Sequence, residues 1–388
     1  MIDSSMDHTY QEKFQTLETP FYFYDINLLR RTMEVIKAEV EGHPFEVHYA
    51  LKANVNNRIL REVCECGFGA DCVSGNEVKK ALEVGFAKDH IVFAGVGKTD
   101  REIELGLEHD IFSFNVESIQ ELQVLEELAG KLGKQARFAL RLNPNVDAGT
   151  HEYITTGKRN NKFGVTFQEF REAMPLIKGL KNLSFIGVHF HIGSQISELG
   201  RFSDLIVKVN EIQQYILEEG FKLPHLNVGG GLGIDYEDPE GTPIPDFKRY
   251  FGAFKRELKL LEGQALHFEL GRSMVGQCGS LVTRVLYNKP GDGTTFLVVD
   301  AGMTELIRPA LYQATHVIQS LKNVKNTDTY DVVGPICETS DAFARGITLP
   351  ESKRGDFLAI RSTGAYAEVM SSRYNLREVA PSVYSDDL

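Results

Sequence analysis

The sequence predicts an α/β chain, a (β/α)8 barrel of the TIM type followed by an all-β domain built as a barrel or sandwich. Three observations carry this expectation. Short apolar, β-rich runs recur eight times between positions 46 and 269. Amphipathic helical stretches separate them, and helical periodicity mostly disappears after Arg272.

The runs fall at 47–51, 70–73, 91–94, 111–115, 137–142, 185–191, 226–228 and 266–269. Between them, 118–132 places Ile119, Leu122, Leu125 and Leu128 on one face, and 202–219 does the same with Leu205, Val209, Ile212 and Ile216. An open, doubly wound sheet shares this alternation and is the architectural rival. Past Arg272, the segments 280–287, 296–299, 330–333 and 357–361 read as strands parted by Gly, Pro and Asp turns, while 305–312 reads as a short turn or helix.

A chain of 388 residues is long enough for one large and one smaller domain with a sizeable core. Its 42% hydrophobic and 25% charged content is ordinary for a globular protein. A net charge of −12, spread along the chain, argues against nucleic acid or an anionic membrane as partner. The N-terminus lacks a basic-then-apolar pattern and no apolar run approaches membrane-spanning length, so a cytoplasmic location is expected. Cys64, Cys66 and Cys72 lie close together, but no histidine follows at metal-ligand spacing; ordinary buried thiols are expected rather than a metal site or disulfide.

In such a barrel the catalytic groups gather at the C-terminal strand ends. Those ends supply Lys52, Asp71, Asn115, Arg141, His191, Gly229-Gly230-Gly231 and Glu269-Leu270-Gly271-Arg272. Lys52, in His48-Tyr49-Ala50-Leu51-Lys52-Ala53-Asn54, is the most informative. A lysine there must be paired, desolvated or reacting, and desolvation favours the neutral amine that forms a Schiff base. The glycines allow backbone N–H groups to approach an anion, and the loops after strands seven and eight are the usual phosphate site of this fold; a flexible tight turn is the plainer reading. Ser194 could add a hydroxyl donor.

His189 and His191 stand two apart on one expected strand and so share a face. A metal site would need further ligands that the later strands do not clearly offer, so stacking on a flat cofactor or core packing fits better. Glu269, in an apolar context, needs a cationic partner: Arg272 is one option and a protonated pyridine nitrogen another. An aldehyde cofactor with a ring nitrogen and a phosphate would use the lysine, the carboxylate and the glycines together.

These motifs, with Asp300-Ala301-Gly302-Met303, Arg308-Pro309-Ala310-Leu311-Tyr312, 334–341 and Gly364-Ala365-Tyr366, resemble the fold-type III pyridoxal-phosphate decarboxylases over 20–375. One departure is Leu270, where that family usually has proline. The resemblance implies pyridoxal 5'-phosphate on Lys52, Glu269 against the pyridine nitrogen and His191 stacked on the ring. Ser194, Gly229, Gly230, Gly231, Gly271, Arg272 and Tyr366 would hold the cofactor. It implies Cys337 as proton donor, and Arg272, Arg308, Tyr312, Glu338 and Tyr366 as substrate contacts. It also implies a barrel over 26–272, a β domain made of 1–25 with 273–388, and a homodimer in which Cys337 and Glu338 come from the other subunit.

The activity implied is decarboxylation of meso-2,6-diaminopimelate to L-lysine and CO2. The two arginines suit a distal carboxylate and Glu338 a distal ammonium, whereas an ornithine or arginine decarboxylase would have little use for Arg308. The rivals are a carboxynorspermidine or other basic amino-acid decarboxylase, an alanine racemase, a non-catalytic binder and a metal-dependent barrel hydrolase. A racemase would be expected to set arginine and tyrosine where Glu269 and Cys337 stand. Asp71, Glu77 and Arg141 can be read equally as cofactor lining or as structural.

Overall fold

The computed structural model describes residues 8–146, 149, 162–322 and 324–388. The chain divides into two compact units. One, Met33–Gly233 with Asp246–Gly271, is a closed barrel. Its eight strands are Phe45–Ala50, Gly69–Cys72, Ile91–Phe93, Ser113–Val116, Ala136–Arg141, Leu183–His189, His225–Asn227 and Ala265–Leu270. Each runs parallel to its neighbours, and the eighth closes on the first with His48 opposite Glu269. Closure rules out the doubly wound sheet.

Local chemistry fixes where the helices begin. Ser74, Thr99, Ser118 and Thr166 each accept a backbone N–H from the glutamate three residues on, satisfying a donor the helix cannot. At Thr99 and Thr166 the glutamate reaches back to complete a capping box. Leu122, Leu125 and Leu128 are buried, as are Leu205, Val209, Ile212 and Ile216, so both apolar stripes face inward. The sixth strand ends at His189, two residues sooner than the apolar run suggests, which leaves His191 in the loop beyond.

The other unit gathers the described residues up to Thr32, Ile234–Pro245 and Arg272–Leu388. Its eight-stranded sheet runs Ile318–Ser320, Phe357–Ile360, Gly279–Pro290, Thr295–Val299, Thr327–Val333, Ala342–Pro350. Phe21–Tyr24 joins antiparallel to Gly279–Pro290 and parallel to Ser382–Tyr384. Phe14, Phe21, Phe23 and Phe357 pack with Val282, Leu321 and Ala359 in its core. The four strands expected from sequence are present, and 305–312 contains the helix Arg308–Tyr312. Four others escaped the pattern: Ile318–Ser320 and Ser382–Tyr384 are three residues long, Phe21–Tyr24 is apolar without alternation, and Ala342–Pro350 carries Arg345-Gly346 at its middle.

Candidate active site

In the barrel unit the expected residues converge on the C-terminal strand ends. Lys52 sits on a single tight turn, Leu51–Ala53, directly after the first strand. Its Nζ lies 3.7 Å from Oδ2 of Asp71, at the end of the second strand. The lysine is thus paired; its side chain keeps 38% of its exposure, so it is less desolvated than the apolar strand suggests. Asp71 is fully buried, and neither of its oxygens has a hydrogen-bond partner among the described residues. Burial, then the nearby Glu269 charge, push its carboxyl up against the opposing pull of Lys52.

Glu269 has the opposite fate. Oε1 accepts from Asn115 Nδ2 at 3.2 Å and Asn227 Nδ2 at 2.9 Å, and Oε2 pairs with His189 Nε2 at 3.2 Å. Burial alone would raise its pKa, but the charge and hydrogen bond of His189, with Lys52 and His191 behind them, hold the carboxyl below the usual range. Two buried carboxylates in one unit are therefore driven apart, Glu269 towards the anion and Asp71 towards the acid. A carboxylate offers about four acceptor positions; three are filled, leaving Oε2 able to take one more donor.

The glycine run packs against its surroundings so closely that side chains are impossible. A Cβ on Gly230 would lie 1.8 Å from the Glu269 carbonyl oxygen, and one on Gly231 2.4 Å from that of Gly193. Gly229 and Gly231 also adopt left-handed backbone, with φ of 68° and 103°. The amides of Gly229 and Gly230 donate to Asn227 Oδ1 and His191 Nδ1. Ile196 N–H donates to Gly231 O at 2.8 Å and Gly233 N–H to Ile196 O at 3.0 Å, which knits the Ser194 loop to the glycine loop. Burial, followed by the charges of Lys52 and Arg141, keeps His191 neutral near pH 7.

In the second unit Arg272, Arg308 and Tyr366 come together around Tyr236. Arg272 donates to the Tyr236 hydroxyl, and its guanidinium carbon lies 4.6 Å from the Tyr366 ring centre. That of Arg308 lies 4.5 Å from the ring centre of Tyr236. Arg308 also donates to His316 Nε2 at 2.7 Å. Tyr366 holds φ of 58°, a costly backbone for a bulky residue and one that clusters at functional sites. Tyr312 ends the five-residue helix that Arg308 begins.

Cys337 and Glu338 lie in a separate, exposed loop stapled by Asp341, whose carboxylate accepts from Met303 N–H at 2.6 Å and Ile336 N–H at 2.7 Å. Asn375 Oδ1 accepts the Cys337 N–H at 3.2 Å, and Tyr374 donates to Glu338 Oε1 at 2.8 Å. All five cysteines are free. Of the residues left open by sequence, Asp71 faces Lys52. Arg141 pairs with buried Glu117 at 2.8 Å, and Glu77 accepts the Val73 N–H at 2.7 Å as part of a helix start. Sequence reasoning did not single out Asn227, Tyr236, His316 or Tyr374. The strand-end rule reaches Asn227, which closes the seventh strand; Tyr236 and His316 lie in loops and Tyr374 begins a three-residue 3-10 turn, none with any periodicity.

A buried carboxylate held ionised and a lysine thus stand together at the mouth of the barrel. The chain belongs to the pyridoxal-dependent decarboxylases: residues 27–276 match the model of that family's pyridoxal-binding domain. Among its relatives, the diaminopimelate decarboxylase of Bacteroides thetaiotaomicron is 52% identical, covering 97% of this chain and 98% of that protein. The crystal structure of diaminopimelate decarboxylase from Helicobacter pylori complexed with L-lysine is 40% identical with a TM-score of 0.92, covering 98% of this chain and 94% of that one. The corresponding enzyme of M. jannaschii, in co-complex with L-lysine, is 35% identical with a TM-score of 0.87, covering 97% and 89%.

Proposed function

We propose that this chain decarboxylates meso-2,6-diaminopimelate to L-lysine and CO2 with pyridoxal 5'-phosphate as its cofactor. The observation that carries the reading is Glu269, held ionised by Asn115, Asn227 and His189 with one acceptor position left for a cationic ring N–H. The rest of the donor set fits the same group: an amine on Lys52, a neutral imidazole on His191, and a glycine loop beside Ser194 into which a side chain would not fit. When bound, the cofactor supplies an aldehyde for amines and a protonated ring that takes up the electron pair left by departing CO2.

Lys52 would hold the aldehyde through its amine, and Glu269 would keep the ring nitrogen protonated. His191, a neutral imidazole, would lie against the ring. Ser194, Gly229, Gly230 and Gly231, with the backbone of Gly271 and Arg272, would hold the phosphate, and Tyr366 would also contact the cofactor. Since Gly229 and Gly230 already use their amides internally, their part is to let the loop pack directly on the Phe190 and Glu269 carbonyls, which fixes its shape. Arg308 and Arg272 grip the carboxylate that is retained, helped by Tyr312 and Tyr366, and Glu338 accepts the distal ammonium. Cys337 Sγ delivers the proton to the carbon that lost CO2.

Cys337 and Glu338 stand exposed on their stapled loop, which supports a homodimer in which each copy lends this loop to the site of the other. The test of the assembly is to mix two inactive variants, Lys52→Ala and Cys337→Ala. Shared sites restore activity up to a quarter, because one site in a mixed dimer carries both intact residues; no recovery after subunit exchange contradicts sharing. The test of the activity is stoichiometric L-lysine and CO2 from meso-diaminopimelate, and no release moves the weight to a binding or regulatory role.

A further inference from the structure

Arg308 is 6% exposed, and the charges bearing on it are the like charge of Arg272 and the hydroxyls of Tyr236, Tyr312 and Tyr366. Among the described residues no carboxylate forms an ion pair with it. A buried cation without a counter-ion is expensive, and it is tolerated where an anionic ligand completes it. Something must nevertheless fix a side chain with so many rotamers, and the residue that does so is His316.

The direction of each bond follows from chemistry. His316 Nδ1 lies 2.7 Å from the carbonyl oxygen of Arg361, which can only accept, so Nδ1 carries the proton. In a neutral ring Nε2 is then an acceptor, and it takes an N–H of Arg308 Nη1 at 2.7 Å. Burial, then the Arg308 charge, lower the His316 pKa to about 3, so the ring is neutral across the physiological range. Its position is set by the sheet: Arg361 N–H bonds Val317 O at 2.8 Å, and Ile318 pairs with Ile360. The ring also meets Tyr236 edge-on at 4.9 Å, the same tyrosine over which Arg308 lies.

We propose that His316 is a positioning residue for Arg308, an uncharged acceptor that orients the guanidinium for the substrate's retained carboxylate without neutralising it. An aspartate or glutamate in its place could also accept from Arg308, but it would lose the bond to the Arg361 carbonyl and cancel the charge that attracts the substrate. The inference rests on reading Arg308 as the carboxylate grip, and the experiment separates the two.

Cofactor-loaded His316→Phe keeps a ring but loses both nitrogens; His316→Gln places an oxygen near the position of Nε2. The readouts are KM for meso-diaminopimelate, and Kd for L-lysine, which retains a carboxylate, and for cadaverine, which has none. Cofactor absorbance is followed alongside. His316→Phe should raise KM and weaken L-lysine binding by about 10- to 100-fold, the loss of one charge-assisted hydrogen bond. The turnover number, cadaverine binding and cofactor content change little, and His316→Gln recovers most of the loss. In an Arg308→Ala background, His316→Phe should add nothing further.

Equal losses for L-lysine and cadaverine, or full additivity with Arg308→Ala, would overturn the proposal in favour of simple core filling. If Arg308→Ala itself leaves KM and L-lysine binding unchanged, the carboxylate reading of Arg308 fails. If Arg308→Ala is defective and His316→Phe is silent, only the positioning role fails. Should His316→Phe not fold, His316→Asn replaces it, since its shorter amide reaches Arg361 O but not Arg308. L-lysine binding weak in Asn and strong in Gln supports the proposal, and the reverse order overturns it.

Discussion

Replacing Glu269 by Gln tests the barrel site at its centre. The carboxylate accepts from Asn115 and Asn227 on Oε1 and pairs with His189 on Oε2. A glutamine of the same shape keeps a carbonyl towards the two asparagines and presents an NH2 to His189. His189 Nδ1 has no partner among the described residues, so the ring can change tautomer and accept that NH2 at Nε2. The fold should therefore lose only about one hydrogen bond's worth of stability, about 1 kcal/mol. The charge is a different matter. A carboxylate in contact with a cation contributes about 4 kcal/mol at an effective dielectric near 20, and each 1.4 kcal/mol or so is about tenfold in rate. Glu269→Gln should accordingly keep its melting temperature within a few degrees and its cofactor content, while kcat drops by about a thousandfold. Calorimetry, cofactor absorbance and CO2 release measure the three quantities. A turnover within a few-fold of the parent, in a folded and loaded variant, would refute the role given to this carboxylate.

Arg308→Ala should raise KM for diaminopimelate by about a hundredfold or more with cofactor content unchanged, because a buried cation that grips a carboxylate is lost; loss of cofactor instead would contradict the assignment. Cys337→Ser should lower kcat by about a hundredfold while KM changes little, since an alcohol is a far poorer acid than a thiol; steady-state kinetics on the loaded enzyme decide it. Acid should destabilise the barrel. Burial lowers His48 from 6.5 to about 4 and His225 to about 3, so below pH 6.5 the unfolded chain binds protons that the folded one refuses. Stability then falls as pH drops from 6.5 towards 4, and a melting temperature flat over that window contradicts it.

Much of this was legible from the sequence because the barrel repeats one rule. Each strand is a short apolar run, most helices have a capped start, and the strand ends collect the candidate residues, so Lys52, Asp71, Asn115 and Glu269 could be read by position. The end of a strand is harder to read than its existence. An apolar run does not say where pairing stops, and His191 falls in the loop although Phe190 and Ile192 continue the pattern. In the sheet unit the pattern weakens because strands of three residues have no period, and a strand carrying Arg345 and Gly346 breaks the alternation. Sequence names Arg308, but its setting lies in loops without a pattern: His316 is 8 positions on and held by the distant Arg361 carbonyl, and Tyr236 comes from far earlier in the chain. Distance also hides the wiring of Glu269, whose partners are 154, 80 and 42 positions away.

The most direct test is CO2 release by the purified, cofactor-loaded protein from meso-diaminopimelate, ornithine, arginine, lysine and carboxynorspermidine in parallel. Release from diaminopimelate alone, with L-lysine as product, is the outcome the arginine pair and Glu338 predict. Release from ornithine, arginine or lysine at a comparable rate would leave the cofactor chemistry standing and contradict the account of how the substrate is chosen.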